Sequence, residues 1–462
     1  MSNSGAPRTQ ELYARQEKIQ AREIGGVFGR LRSGSVLLLL GVYYFTPWIP
    51  WNDRQAILFD LPARKFFIFG ITLWPQDFYF LSWLLIMAAL LLFLATSVAG
   101  RIWCGYACPQ TIWTRAFVWL ERLAEGNFLR RKKLDQSAWD RNKILRKGLR
   151  EFLWVSFALL TGFTFLGYFT PIQGLTTRLI NFDLSGWETF WILFYSFATY
   201  GNAGYLREQV CKYMCPYARF QSAMFDANSL VVAYDVGRGE PRGSRQRSGE
   251  SSPAGLGDCI DCNLCVQVCP TGIDIRKGLQ YECIACASCV DACDSIMDRM
   301  GYARGLVSYT TENSLQGKPT KILRVRTGLY SVMLAGFFVL FIYSLATRAP
   351  LHLDVIRDRN ALYRELPSGL IENVYTLKIL NKSDISHVMH FSAQGLPGIE
   401  IDTDPAELEL KGGQIRSIAA RVRVPRSELS VGGHDIILRA QAADDDELRT
   451  EGEARFIAPS AR

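Results

Sequence analysis

Between Cys259 and Cys293 the chain places eight of its twelve cysteines in two runs of one pattern. Cys259, Cys262, Cys265 and Cys269 are followed by Pro270; Cys283, Cys286, Cys289 and Cys293 make the second run. In a C-x2-C-x2-C-x3-C-P run the first three thiolates wrap one corner of a cubane cluster, and the next turn carries the fourth to another cluster. The runs therefore predict two [4Fe-4S] clusters with crossed ligation. One takes Cys259, Cys262, Cys265 and Cys293, and the other takes Cys283, Cys286, Cys289 and Cys269. Asp294 stands where the second run would carry proline. A zinc site needs longer spacers between its ligand pairs, and no histidine lies near either run.

The other four cysteines form two C-x3-C-P motifs, Trp103-Cys-Gly-Tyr-Ala-Cys-Pro109 and Cys211-Lys-Tyr-Met-Cys-Pro216. An i, i+4 spacing predicts that each pair shares a helical face, with the proline ending or bending the helix. Two such helix ends on one side of a membrane would present Cys104, Cys108, Cys211 and Cys215 to one point. Soft thiolate sets select Cu(I), zinc or an iron-sulfur cluster; a redox disulfide and inert buried thiols stay open. Met214 is either a further soft ligand or packing. All four histidines, His352, His387, His390 and His434, follow the last apolar segment, so no bis-histidine haem fits between helices. His387, Met389 and His390 allow a copper reading, against which a surface or core placement carries more weight. No Gly-rich dinucleotide fingerprint follows a strand, which points to a protein or another carrier as electron donor.

These thiols must be positioned by a membrane part. Five charge-free segments approach the roughly 20 residues that a hydrocarbon core requires: 33–51, 78–100, 152–170, 189–206 and 327–347. The loop 101–150 holds Arg130, Arg131, Lys132, Lys133, Arg146 and Lys147, and the N-terminus holds Arg8, Arg15, Lys18, Arg22, Arg30 and Arg32. By the positive-inside rule both lie in the cytoplasm, together with the ferredoxin segment, where thiols stay reduced. The net charge of +8 is then a topology signal and not a nucleic-acid surface. The late, long apolar start argues against a cleaved signal peptide.

The predicted organisation is a multi-domain membrane protein: a basic cytoplasmic N-terminus (1–32), transmembrane helices one to four with both C-x3-C-P motifs (33–237), a flexible linker (238–257), a two-cluster ferredoxin-type α+β domain (258–310), a connector (311–326), helix five (327–347) and a periplasmic domain (350–462). Alternation at Tyr375, Leu377 and Ile379, at Ile418, Ala420, Val422 and Val424, and at Ile436, Leu438 and Ala440 predicts strands. Turn clusters at 381–384, 411–413 and 432–433 suggest an all-β immunoglobulin-like sandwich. It contains no cysteine, so packing alone must hold it.

Several stretches resemble the FixG/CcoG/RdxA family of cytochrome oxidase accessory proteins: Leu12-Tyr-Ala-Arg-Gln-Glu-Lys-Ile19, Trp74-Pro-Gln-Asp77, Gly100 to Thr111, Tyr213 to Met224 and Cys269 to Gly278. The resemblance implies a multi-pass protein of the bacterial inner membrane that reduces Cu(II) to Cu(I) for copper insertion into cbb3-type cytochrome c oxidase. It implies the eight ferredoxin cysteines as cluster ligands and Cys104, Cys108, Cys211 and Cys215 as the copper-associated, catalytic residues. Partners are then the membrane, the copper ion as substrate, an unknown electron donor, and the oxidase or its copper chaperones; homo-oligomerisation stays open and no nucleic acid is expected. The rivals are a quinol-dehydrogenase-type electron-transfer subunit and a non-catalytic copper-holding scaffold. Lys212 is an uncommon choice inside the second motif.

Overall fold

A computed structural model describes residues 19–52, 54–222, 224–245, 255–359, 361–383 and 385–459. Arg8, Arg15, Lys18, most of the Leu12 to Ile19 stretch, Asp384 and the centre of the expected linker lie outside the described residues. The chain forms two compact units, one of residues 1–70 and 79–338 and the other of residues 71–78 and 339–462.

In the first unit, α1 (Val27–Phe45) is followed by α2 (Phe78–Ala99), the short α3 (Ile102–Tyr106), α4 (Pro109–Glu125), α5 (Arg141–Leu166), α6 (Gly186–Thr199), α7 (Pro216–Ser222), α8 (Ser288–Met300) and α9 (Val325–Ala346). Among the described residues three helices are long and apolar enough to cross a membrane: Pro75–Ala99, Arg141–Leu166 and Val325–Ala346. The expectation of five is not reproduced. Arg30 and Arg32 dilute the first turns of α1, and α6 has 14 residues before the chain passes into π-helical turns over Tyr200–Leu206.

The basic loop after α2 is itself folded. Glu121 and Glu125 on α4 are both 1 % exposed. Glu121 receives Arg131 at 3.3 Å and Arg207 at 2.8 Å, and Glu125 receives Lys147 at 3.1 Å and Arg150 at 3.0 Å. Arg131 and Lys147 therefore neutralise internal carboxylates, as buried charges must, and do not spread over a lipid surface.

The ferredoxin segment is framed by β1 (Val231–Tyr234), paired antiparallel with β2 (Val307–Thr310). Its fold thus begins well before the expected start at 258. The linker expectation also needs correction at both ends. Asp258 N–H donates to Arg238 O, Gly257 N–H to Pro241 O and Gly243 N–H to Cys259 O, so 238–243 and 257–258 are laced to the cluster loop and leave no free hinge there.

The second unit is a two-layer sandwich. One layer has the order β6-β8-β4-β3, built from β3 (Leu351–Arg357), β4 (Leu370–Asn381), β6 (Glu400–Asp404) and β8 (Ile415–Pro425), with a short strand at 364–365 beside β4. The other has the order β7-β5-β9-β10, from β5 (His387–Gln394), β7 (Leu408–Leu410), β9 (Gly432–Ala442) and β10 (Arg449–Ala458). The period-two residues face inward as the alternation predicts: Tyr375, Leu377, Ile379, Val422, Leu438 and Ala440 are fully buried. Gly432 and Gly433 open β9 and are not a separate turn. Asp77, 2 % exposed, accepts from Trp74 N–H and pairs with Arg348 and Lys382, which gives the Trp74-Pro-Gln-Asp77 stretch a structural role in this unit.

Without a disulfide, apolar burial carries the sandwich. Phe456 is fully buried among these strands, so Phe456→Ala should cost the sandwich about 3–5 kcal/mol. Chemical denaturation of the full chain should show an earlier sandwich transition with unchanged iron content, because the cysteines belong to the other unit.

Candidate iron-sulfur and thiolate centres

Both cysteine runs fold the same way. In each, the residues flanking the second cysteine adopt a left-handed backbone: Asp261 and Asn263 around Cys262 (φ 52° and 57°), Ala285 and Ala287 around Cys286 (φ 51° and 56°). Such a residue costs about 1–2 kcal/mol when it is not glycine. The strain turns successive cysteines toward a common centre, and a helical segment then carries the third cysteine of the first run (Leu264–Gln267) and the last two of the second (α8).

Two cavities result. Cys259, Cys262, Cys265 and Cys293 line one; Cys269, Cys283, Cys286 and Cys289 line the other, and Cys265 borders both. Each therefore combines three thiols of one run with the last thiol of the other. Burial, reinforced by neighbouring thiols, pushes Cys283 and Cys293 up to about 12 and also raises Cys289 well above the ordinary thiol value. Burial raises Cys265 to about 11 against the opposing pull of Arg276. Thiols this crowded resist becoming thiolates together unless a cationic centre compensates them, so the donor set fits an iron-sulfur cluster in each cavity.

The C-x3-C-P motifs also share one construction, though not the predicted one. Neither pair lies on a continuous helix. Cys104 sits in α3, while Cys108 is an extended N-cap (ψ 129°) and Pro109 opens α4. Cys211 lies in a π-helical turn over Val210–Met214, Cys215 is extended (ψ 106°), and Pro216 opens α7. Proline starts the next helix in both, where its missing N–H is harmless, and forces the preceding cysteine out of the helical region.

The structure nevertheless gathers all four. Burial pushes Cys211 up to about 12, followed by the charges of Cys108, Cys104 and Cys215. Burial likewise raises Cys104, whose thiol donates to Gln221 Oε1 at 3.1 Å, with the Arg101 guanidinium 3.9 Å from its sulfur. Among the described residues no three cysteine, histidine or carboxylate side chains close on a single-ion point.

The tetrad touches the second cavity directly. Cys104, Ile284 and Cys286 form one buried apolar cluster. A Cβ at Gly105 would lie 2.8 Å from the Ile284 carbonyl oxygen and 3.0 Å from that of Ala285, so only glycine permits this approach. Arg101 donates to Tyr281 O and Arg32 to Cys286 O, while Asp291 accepts from Gly29 N–H at 2.7 Å and binds α1 to α8. Spacing could not reveal Gly105, Arg101, Arg32, Asp291 or Gln221, since their partners are distant in sequence. Gly105, directly after Cys104, was the single local signal.

Three family models match the chain. A 4Fe-4S binding domain matches 79–134, a 4Fe-4S dicluster domain 206–312, and the IG-like fold at the C-terminus of FixG 341–459. Protein RdxA of Cereibacter sphaeroides is 41 % identical over 407 residues, 85 % of each chain. Nitrogen fixation protein FixG of Rhizobium meliloti is 39 % identical over 427 residues, 84 % of this chain and 81 % of its own. The chain belongs to the FixG/RdxA family. It is an iron-sulfur redox protein with an Ig-like C-terminal domain. A solved FixG-related protein from Vibrio parahaemolyticus matches 23 % of this chain and 95 % of its own at 25 % identity, with a TM-score of 0.21. Each half of the tetrad lies inside a 4Fe-4S family match.

In this FixG/RdxA protein, His387 and Met389 point into the sandwich and His390 out of it. His387 pairs with Asp444 at 3.0 Å, and His390 is 51 % exposed beside Glu407. Period-two geometry separates them, so these residues build no joint copper site.

Anaerobically prepared protein should contain about eight iron and eight acid-labile sulfide per chain. Iron and sulfide analysis checks this, and Cys262→Ser should lower both while leaving the second cavity loaded.

Proposed function

We propose that this FixG/RdxA-family protein reduces Cu(II) to Cu(I) at Cys104, Cys108, Cys211 and Cys215, and supplies Cu(I) for assembly of a cbb3-type cytochrome c oxidase. The observation that carries the reading is the packing of Cys104 against Cys286, which sets a soft four-thiol set beside a cluster cavity. The eight ferredoxin cysteines would hold two clusters, one-electron carriers when bound.

The tetrad's own chemistry favours the reduced metal. Cu(II) prefers nitrogen and oxygen donors in a tetragonal array, Cu(I) a few soft sulfurs. Capture draws two or three sulfurs inward by side-chain rotation and releases their protons; Arg101 offsets the negative charge that develops at Cys104. Gln221 holds Cys104 in place until the metal replaces its hydrogen bond. Because burial keeps Cys211 and Cys104 protonated, Cu(I) affinity should rise steadily from about pH 6 to about pH 9 as the proton cost falls, a trend that competition with a chromogenic Cu(I) chelator measures.

In the same reading the protein is a multi-pass protein of the inner membrane, with N-terminus and clusters cytoplasmic and the Ig-like domain periplasmic. An impermeant maleimide should label Ser427→Cys in intact cells, and failure to label it would reverse this orientation.

The two thiol sets should separate genetically. Cys104→Ser combined with Cys211→Ser should abolish copper binding and Cu(II) reduction while iron stays near eight per chain, since serine is a poor Cu(I) ligand. Loss of a third of a larger iron content, with copper reduction retained, would make the tetrad a further cluster site.

A further inference from the structure

The first unit contains a cavity of about 800 Å³ whose wall includes both Cys211 of the tetrad and Cys286 of the second cluster set. Its other walls come from α1 and α4, where Arg32 and Arg115 stand beside Leu37 and Trp119. The lining side chains are mixed, with Arg22, Arg30 and Arg122 also bordering the cavity, but most of the surface they expose to it is apolar, and Leu37 continues into the exposed apolar surface of α1 formed by Leu31, Leu38 and Val42.

The polar groups in the cavity want an acceptor. Arg32 is 5 % exposed, and among the described residues the buried Nε–H groups of Arg32 and Arg115 find no hydrogen-bond partner. Arg115 donates to Ser33 Oγ at 3.2 Å and lies 5.8 Å over Trp119. Among the described residues no carboxylate lies within ion-pair distance of it. Burial and the adjacent Arg32 charge hold its guanidinium below the ordinary range. A neutral hydrocarbon would leave these donors unsatisfied at about 1–3 kcal/mol each. A flat ring with an oxygen acceptor and an apolar tail meets every feature: guanidinium donors for the oxygen, an indole face for the ring, an apolar exit for the tail.

We propose that this cavity is a quinol-binding site and the point where electrons enter the protein. A quinol bound between Cys286 and Cys211 loses two electrons and two protons and becomes quinone. Two oxidised clusters held by the eight ferredoxin cysteines would each accept one of the two electrons. The protons pass to water at the mouth of the cavity beside Glu23, which is 36 % exposed and salt-linked to Arg122. The assignment concerns the donor and holds whether copper or another species accepts the electrons downstream.

The test uses the full chain with its clusters, purified anaerobically in detergent. A fluorescent hydroxyquinoline N-oxide quinol analogue should bind at about one per chain, and decylubiquinol should bleach the cluster absorbance. Val118→Trp, which fills the cavity, and Arg115→Leu, which removes the donor, should each weaken analogue binding at least about tenfold and slow bleaching by the quinol. Iron content and bleaching by dithionite should stay as in the parent. If Val118→Trp loses iron, Arg115→Leu decides alone. Undiminished analogue binding in the folded variants would overturn the proposal. So would a co-purifying phospholipid that the analogue fails to displace, since the cavity would then be a lipid site.

Discussion

The close approach of α3 to the loop 284–286 is the contact on which the redox layout rests. Backbone meets backbone there, because Gly105 leaves no Cβ between α3 and the carbonyls of Ile284 and Ala285. Those carbonyls belong to the strained segment in which Ala285 and Ala287 hold left-handed conformations, so the geometry that turns Cys283, Cys286 and Cys289 inward also presents the loop's outer face to Cys104. Tyr309 donates to Ala285 O from the far side, and Arg32 and Arg101 bind the carbonyls of Cys286 and Tyr281. The loop is thereby clamped by groups from the N-terminal helix, from the turn after α2 and from β2. The ferredoxin segment is thereby held to the helices by direct hydrogen bonds.

Electrostatics follows the same division. Twelve thiols in three groups would accumulate negative charge on binding metal, and the described basic residues cluster where this happens. Arg276 opposes the effect of burial at Cys265, Arg101 stands at Cys104, and Arg32 and Arg115 line the cavity that joins the second cluster set to the tetrad. Two other buried cations, Arg131 and Arg207, pair with Glu121, and Arg207 ties α4 to the turns after α6. The positive charge of the loop 101–150 is thus divided between internal ion pairs, the redox groups and the surface.

What the sequence made legible was local. Cysteine spacing specifies which thiols share a cavity, because the turn after each run has few ways to go once Pro270 follows Cys269. Period-two alternation specifies the sandwich, because Tyr375, Leu377 and Ile379 can be buried together in only one register. Non-local features stayed hidden. The C-x3-C-P motifs read as helical faces because i, i+4 spacing suits a helix, yet Pro109 and Pro216 begin new helices and break the continuity at Cys108 and Cys215. The Gly- and Ser-rich stretch after Arg238 read as a linker on composition, while its ends bind the cluster loop through backbone groups that composition does not report. Helices α1 and α6 read as spans, but Arg30 and Arg32 lower the apolarity of the 19-residue α1, and α6 runs 14 residues before its π-helical turns.

The most direct test of the central claim, that electrons leave the clusters across the Cys286–Cys104 contact, is a single-turnover experiment on Gly105→Val. Anaerobic protein reduced with dithionite and freed of excess reductant is mixed with one equivalent of Cu(II), and cluster reoxidation is followed by stopped-flow absorbance. The added methyls push α3 off the loop, and a misplacement of about an ångström costs up to about 10²-fold in rate. The account predicts reoxidation at least about tenfold slower than in the parent, at equal iron content and equal Cu(I) binding. Reoxidation at the parental rate in such a variant would show that the electrons take another route.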